Sequence, residues 1–242
     1  MKGLILAGGT GTRLIPLTYV TNKHLLPVGS KPMILHSIEK MINADIKDIM
    51  IVTGTEHMGD MISLLGSGSK WGCEITYRVQ DKADGIASAL KLAENFIGDE
   101  NFVVILGDNI FEDSIDTLSK DFKALKDENK FTPACMLVLK EVDEPSRFGV
   151  PEFDSDSKII KIYEKPKIPP SSFCVTGIYF YDKAVFEIIK NLKPSDRGEY
   201  EISDLNNFYV EKKLASYRCL SGWWSDAGTH KSYRQANRLC EG

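Results

Sequence analysis

"LILAGGTGTRL", residues 4–14, sets an apolar run from Leu4 to Ala7 directly against Gly8, Gly9 and Gly11, with Arg13 close behind. A short apolar run closed by glycines reads as a buried strand ending in a tight loop. Glycines allow backbone N–H groups to approach an anionic ligand, and an arginine adds a forked, charge-assisted contact. In an open α/β sheet, ligands bind beyond the carboxyl ends of the strands, which is where this loop falls. A plain turn is the alternative, and glycines alone do not displace it.

Similar runs recur along the chain at "KDIMIVTG" (47–54), "EITYRVQ" (74–80) and "NFVVILGDN" (101–109). Between the first two strands, Met33, Ile34, Ile38, Met41 and Ile42 mark one helix face, and Ala87 to Ile97 predicts a second helix. Strand and helix alternate, so the chain belongs to the α/β class: a Rossmann-like mixed sheet flanked by helices, its first half parallel with right-handed crossovers. Beyond Leu125 the texture changes. "TPACMLVLKEV" (132–142), "SKIIKIYEKP" (157–166) and "FCVTGIYFYD" (173–182) predict longer strands in mixed or antiparallel pairing. Helices are expected at 183–191 and 202–212, a strand at "LASYRCL" (214–220), and a last helix from Thr229 to Cys240. Without linker or repeat, residues 1–242 read as one domain, with 1–110 and 111–242 as two halves of one sheet.

Composition narrows the function. A chain of 242 residues with 43% hydrophobic and 26% charged residues can bury a sizeable core. Its net charge of -4 lacks the basic footprint of a nucleic-acid or anionic-membrane surface, so neither partner is expected. Cys73, Cys135, Cys174, Cys219 and Cys240 form no CxxC pair, which argues against a zinc site or disulfide framework. Apolar runs reach about five residues, far below a membrane span of roughly 20. The opening stretch is also too short for a secretory signal, so a cytoplasmic location is expected.

Familiar phosphate motifs fail at the opening loop. Leu14 stands where GxGxxG requires its third glycine, and no Gly-Lys pair follows to complete a Walker A loop. A dinucleotide dehydrogenase and a P-loop NTPase both lose support.

A different signature is present. GGTGTRL is followed by "NKHLLPVGSKPM" (22–33), "LGDNIF" (106–111), "RFGV" (147–150), "EKP" (164–166), "VTGIYFYD" (175–182), "RGEYEISDLN" (197–206) and "WSDAGTH" (224–230). In that order, and over essentially the whole chain, these motifs resemble the sugar-1-phosphate nucleotidyltransferases, with their glucose-1-phosphate thymidylyltransferase branch the best fit. The resemblance implies Mg2+-dependent formation of dTDP-glucose and pyrophosphate from dTTP and glucose-1-phosphate. It makes residues 1–110 the nucleotide half and 111–242 the sugar-phosphate half.

By the same resemblance, Arg13, Lys23, Lys165, Asp108 and Asp226 carry catalysis, and the two aspartates hold the metal. Gly8, Gly9, Thr10, Gly11, Thr12, Arg13, Gln80, Gly85 and Asp108 bind the nucleotide. Asn109, Gly149, Glu164, Lys165, Val175 and Arg197 bind the sugar phosphate. The chemistry suits such residues. A phosphate monoester is largely dianionic at neutral pH, its second pKa lying near 6, so the nucleophile needs little activation. Joining two polyanions calls instead for cations and a metal with hard oxygen ligands. Taken alone, Asp226 before Ala227, Gly228 and Thr229 reads as a turn residue, Lys23 as a solvated lysine and "EKP" as a strand end with an exposed ion pair.

Gln80 can pair with the imide edge of thymine or uracil, giving one hydrogen bond and accepting another. The chain departs from the thymidylyltransferase pattern at Ala83, usually proline, and at His24, usually glutamine; His24 is expected to be a half-buried structural residue. Trp223 and Trp224 flank the metal loop as core packing or as a wall of the sugar site. Rival readings are a relative using UTP or another nucleotide, and a catalytically silent nucleotide-sugar sensor on the same fold. Retention of Asp108, Asp226, Arg13 and Lys165 speaks against the sensor. The sequence ends at Gly242, so the helical tail with which longer members build a second site for dTDP-rhamnose is expected to be missing, along with feedback through it. A homo-oligomer is expected.

Overall fold

The computed structural model describes residues 1–129 and 134–241. β1 (Lys2–Ala7) is followed by a hairpin of β2 (Pro27–Val28) and β3 (Lys31–Pro32), and by α1 (Met33–Asn43). β4 (Asp48–Gly54), α2 (Met58–Leu65), β5 (Glu74–Gln80), α3 (Ile86–Lys91), α4 (Glu94–Ile97) and β6 (Phe102–Leu106) complete the alternating half. Next come β7 (Ile110–Phe111), α5 (Ile115–Asn129), β8 (Cys135–Glu141), β9 (Gly149–Phe153), β10 (Ile159–Glu164) and β11 (Phe173–Tyr181). The chain closes with α6 (Ala184–Lys190), α7 (Ile202–Glu211), β12 (Ala215–Cys219), β13 (Trp224–Ser225) and α8 (His230–Glu241).

Among the described residues, strands from both halves share one nine-stranded sheet. β1 lies between β4 and β6, parallel to both, with Leu4 opposite Met50 on one side and Val104 on the other. The chain runs from β1 to β4 and β5 on one side and then returns to β6 on the other, and the crevice between the ends of β1 and β6, where the strand order reverses, is the place where such sheets bind ligands. β11 joins the second half: it runs antiparallel to β6, β8 and β9, while β12 adds to β8 in parallel. The expected mixture of directions is present.

Period-two alternation sorts the core into two layers. Ile5, Ala7, Ile49, Ile51, Val103 and Ile105 face the layer containing α1, α2 and α5. Their neighbours Leu4, Leu6, Met50, Val52, Phe102 and Val104 face α3, α6 and α7. Central strands covered on both sides are apolar at consecutive positions along their middles, which is why they read as continuous runs.

The structure differs from expectation in two stretches. The helix predicted over Ala87 to Ile97 is broken at Leu92 and Ala93, whose amides turn back to Ala89 and Leu90 at 3.2 and 3.0 Å, three residues earlier. This tighter winding tucks Ala93, fully buried, against the sheet. In the 132–142 stretch, Thr132 and Pro133 lie outside the described residues, and the strand begins at Cys135. The last helix begins one residue after Thr229, which acts as its N-cap: Thr229 Oγ1 accepts from the Ser232 amide at 3.2 Å. No described helix is long and apolar enough to cross a membrane.

Candidate active site

The glycine-rich loop leaves β1 at the sheet's carboxyl edge. Gly11 has φ +67°, and a Cβ there would lie 2.9 Å from Thr18 Cγ2, so the turn needs glycine on both counts. Thr18 Oγ1 fixes the loop by donating to the Gly11 carbonyl at 2.8 Å. Thr12 opens the short 3-10 turn Thr12–Leu14, which carries Arg13.

Arg13 enters a cleft of about 330 Å³ together with Gly8, Gly9, Lys23, Gln80 and Gly85. Asp108, Glu164, Lys165 and Arg197 line the same cleft, so residues from 8 to 197 in the chain converge there. Thr10 lies in a smaller adjoining hollow of about 160 Å³ that shares Gly8, Gly9 and Gln80 with the first. Gly11 and Thr12 shape the loop without lining either space.

Asp108 lies just beyond β6. Lys23 Nζ contacts its Oδ2 at 2.5 Å, and Asn109 Nδ2 donates to its Oδ1 at 3.1 Å. Burial works to raise the Asp108 pKa, but the opposing pull of Lys23 prevails and holds the carboxyl below the usual carboxylate range. Next to Lys23, His24 is 1% exposed, so the expected half-burial is corrected to full burial. Burial first, and the Lys23 charge second, push its pKa down to about 3. The neutral ring donates from Nδ1 to Asn22 Oδ1 at 2.6 Å, which makes His24 a structural residue of this turn.

Asp226 reaches the neighbourhood through a device the sequence did not announce. β13 pairs antiparallel with β7, Ser225 opposite Ile110 and Trp224 opposite Phe111, and this brings the two aspartate loops side by side. A Cβ on Gly228 would lie 3.3 Å from Asp108 Oδ2, from Arg13 Nη2 and from the Asp226 carbonyl. The Asp226 carboxylate itself faces a second hollow, of about 440 Å³, and is bound there by Arg147 at 3.0 and 3.3 Å.

Asn109 has partners of its own inside the protein. Expected to touch the sugar phosphate, it is 3% exposed and spends its amide inside the protein. Its Oδ1 accepts from the Gly177 amide and from Trp224 Nε1, both at 2.8 Å, while Nδ2 holds Asp108. The residue braces β11, β13 and the Asp108 turn against one another. Trp224 is thereby fixed, 8% exposed, with its ring edge-on to Phe148 at 5.3 Å. It packs in the core and, with Trp223, also walls the second hollow.

Across the sheet, Gly149 pairs with Glu164 on one side and Val175 on the other, aligning three of the expected sugar-site residues in one row. Gly149 and Val175 are not among the residues that line the cleft. Glu164 accepts from Ser203 Oγ at 2.5 Å and pairs with Lys165 at 3.0 Å. Arg197 forks onto Glu201, its Nη2 at 2.8 and 2.9 Å from the two carboxylate oxygens. Gln80 Nε2 donates to Asp84 Oδ1 at 3.2 Å, turning the amide oxygen toward Gly8. Gly85, at φ +114°, abuts Tyr200, whose carbonyl oxygen would sit 2.5 Å from a Cβ.

Sequence reasoning missed Arg147, Glu201 and Ser203. Arg197 and Glu201 stand four apart, a spacing that could have been read; Arg147 and Ser203 are defined by tertiary contacts alone.

A family model described as nucleotidyl transferase matches residues 2–241. The chain belongs to that nucleotidyl transferase family. It is 44% identical over 238 residues to the glucose-1-phosphate thymidylyltransferase of Neisseria meningitidis, covering 98% of this chain and 81% of the relative. The Xanthomonas campestris protein of the same name is 41% identical over 244 residues, covering 99% and 80% respectively. A solved Bacillus anthracis structure, provisionally described as a glucose-1-phosphate thymidylyltransferase in complex with sucrose, is 56% identical with a TM-score of 0.92, covering 99% of this chain and 95% of the other. A UDP-glucose pyrophosphorylase complexed with UDP-glucose aligns at 26% identity and TM-score 0.84, covering 98% and 97%. As a family member, the chain is a nucleotidyltransferase, and its cations gathered around Asp108 suit transfer between phosphates.

Among the described residues, no group of three or more His, Cys, Asp or Glu could hold a metal ion unaided. The β7–β13 pairing sets the Asp108 and Asp226 loops side by side, although Asp108 lines the cleft and Asp226 the second hollow, and the two residues offer carboxylates only. That donor set fits Mg2+, which is commonly held by one or two carboxylates with substrate phosphates and water completing the octahedron.

Proposed function

We infer that the protein is a glucose-1-phosphate thymidylyltransferase, forming dTDP-glucose and pyrophosphate from dTTP and glucose-1-phosphate. The observation that carries this reading is the convergence of Arg13, Lys23, Lys165 and Arg197 with Asp108 in one cleft at the β1 and β6 ends. A sugar-phosphate oxygen attacks the α-phosphorus of dTTP; the bond from that phosphorus to the bridging oxygen breaks, and pyrophosphate leaves with the electron pair. No side chain has to remove a proton, because the attacking phosphate is already largely dianionic.

The chain's own residues position and neutralise. Arg13 and Lys23 meet the triphosphate, and Arg13 offsets charge growing on the departing pyrophosphate. Lys165 and Arg197 hold the sugar phosphate opposite, while Glu164, oriented by Ser203, accepts from sugar hydroxyls. Residues 1–110 thus serve the nucleotide and 111–242 the sugar phosphate. Asp108 and Asp226 would hold Mg2+, which supplies further charge neutralisation at the phosphates. Gln80, with Nε2 committed to Asp84, keeps its carbonyl free to accept from the imide N–H of thymine or uracil, a hydrogen that cytosine lacks.

The test is pyrophosphate release with glucose-1-phosphate and each of dTTP, UTP, CTP, ATP and GTP, with and without Mg2+. Release that needs the sugar phosphate and Mg2+, with dTTP ahead, is expected. Preference for UTP would shift the reading toward the pyrophosphorylase relative, and silence with every pair would overturn it.

A further inference from the structure

Both aspartates of the inferred metal site already carry a cation. Lys23 is the partner of Asp108, and both side chains are well covered, at 12% and 15% exposure. Asp226, 16% exposed, has Arg147. The two partners differ in kind: Lys23 lines the substrate cleft, whereas Arg147 lines only the second hollow.

Arg147 holds Asp226 in an unusual way. A single nitrogen, Nη2, bridges both carboxylate oxygens at 3.0 and 3.3 Å; each oxygen keeps a lone pair, but the carboxylate's charge is already matched, and a second cation brought to it meets the guanidinium's repulsion while the contact lasts. The guanidinium rests over Phe148, 5.0 Å from the ring centroid. Its Nη1 is 3.9 Å from Glu144 Oε2, and Glu144 is in turn paired with Lys231 at 2.7 Å. Charges therefore alternate along Asp226, Arg147, Glu144 and Lys231, and Arg147 has a second acid within reach. A covered carboxylate left unpaired is strongly unfavourable, but a permanent partner would compete with any metal. Arg147, one-third exposed and with Glu144 as an alternative, can leave without being stranded.

We propose that Arg147 is a removable cation cap on Asp226: it neutralises and orients the carboxylate when no metal is bound, then yields it to the divalent cation and falls back on Glu144. Arg147 is thus a positioning residue for metal uptake. The inference rests on Asp226 being a metal ligand. Its sign differs from that of a simple brace: losing a brace weakens metal binding, whereas losing a cap strengthens it.

The experiment measures Mn2+ binding by EPR titration of the full chain without substrates, alongside thermal melting with and without saturating Mn2+. Arg147→Gln should bind Mn2+ about tenfold more tightly than the wild type, the weight of one charge-assisted contact. It should melt below the wild type without metal and level with it at saturating Mn2+. Arg147→Lys, which retains a cap, should stay close to the wild type. Lys231→Gln removes the same charge beyond Glu144 and should change the affinity by less than about twofold; an equal gain there would mean general electrostatics and would overturn the cap. Weaker or unchanged Mn2+ binding in Arg147→Gln, or a melting deficit that persists with Mn2+, would also overturn it. Asp226→Asn separates the two levels. If it leaves Mn2+ affinity intact, the ligand assignment fails and the cap with it; if it weakens binding while Arg147→Gln brings no gain, only the cap fails.

Discussion

Replacing Asn109 with alanine should damage the fold before it damages sugar binding. The side chain satisfies the Gly177 amide and Trp224 Nε1 with one oxygen, each at 2.8 Å, in a place that is 3% exposed. Alanine leaves both donors buried without a partner, and at about 1–3 kcal/mol for each such group the loss is about 2–6 kcal/mol, with partial relaxation holding it to about 3 kcal/mol. For a chain of this size that corresponds to about 6–12 °C in Tm. Asn109→Asp provides the sharper control. It keeps the oxygen for both donors but replaces the Nδ2 contact to Asp108, 3.1 Å away, with a like charge. That repulsion raises the new carboxyl's pKa in the fold above its unfolded value. The folded state then holds the extra proton, and stability is lost as pH rises through the folded pKa. Urea melts at several pH values should show Asn109→Ala uniformly weakened and Asn109→Asp increasingly weakened toward alkaline pH. An Asn109→Ala protein within about 1 kcal/mol of wild type, and altered only in KM for glucose-1-phosphate, would refute the bracing role.

Gln80→Ala should raise KM for dTTP and compress the ranking of dTTP, UTP and CTP, since hydrogen bonds that read the imide go unmade; constants for the three nucleotides decide it, and an unchanged ranking counts against Gln80. Gly85→Ala forces a Cβ to 2.5 and 2.6 Å from the Tyr200 backbone at φ +114°, and denaturant melts should show a loss of about 2 kcal/mol or more; a stable variant would mean that the strand of contacts from Tyr200 to Glu201 yields easily. His24, held neutral down to about pH 3, is protonated in the unfolded chain from about pH 6.5 downward. Its contribution is complete above that value and declines as pH falls toward the folded pKa, by at most about 1.4 kcal/mol per pH unit. His24→Gln should flatten the stability profile between pH 6.5 and 4, read from melts across that range.

What the sequence revealed and what it concealed have a common physical cause. β1, β4 and β6 are covered by helices on both faces, so their central positions are apolar on both sides and the runs stand out, and the loop after β1 is marked by residues that only backbone demands explain. The break after Lys91 leaves no such mark, because no Gly or Pro causes it: the turn tightens to bury Ala93, a consequence of the sheet beneath. The same division runs through the site. Arg13, Lys23, Gln80, Asp108, Glu164, Lys165 and Arg197 belong to quotable motifs, and the fold delivers them to one cleft. Asn109 belongs to a motif as well, yet its motif could not say whether the amide faces ligand or core. Its internal partners depend on where Gly177 and Trp224, 68 and 115 residues away, point their donors. Nor could any local pattern bring Asp226 to Asp108, since the strands that do so are two residues each and carry no periodicity. Arg147 follows from this: it has a role only once Asp226 is in place. Residues whose chemistry is directed at a ligand can thus be read from type and spacing. Those that hold the ligand-binding residues in place are legible only once the chain has folded around them.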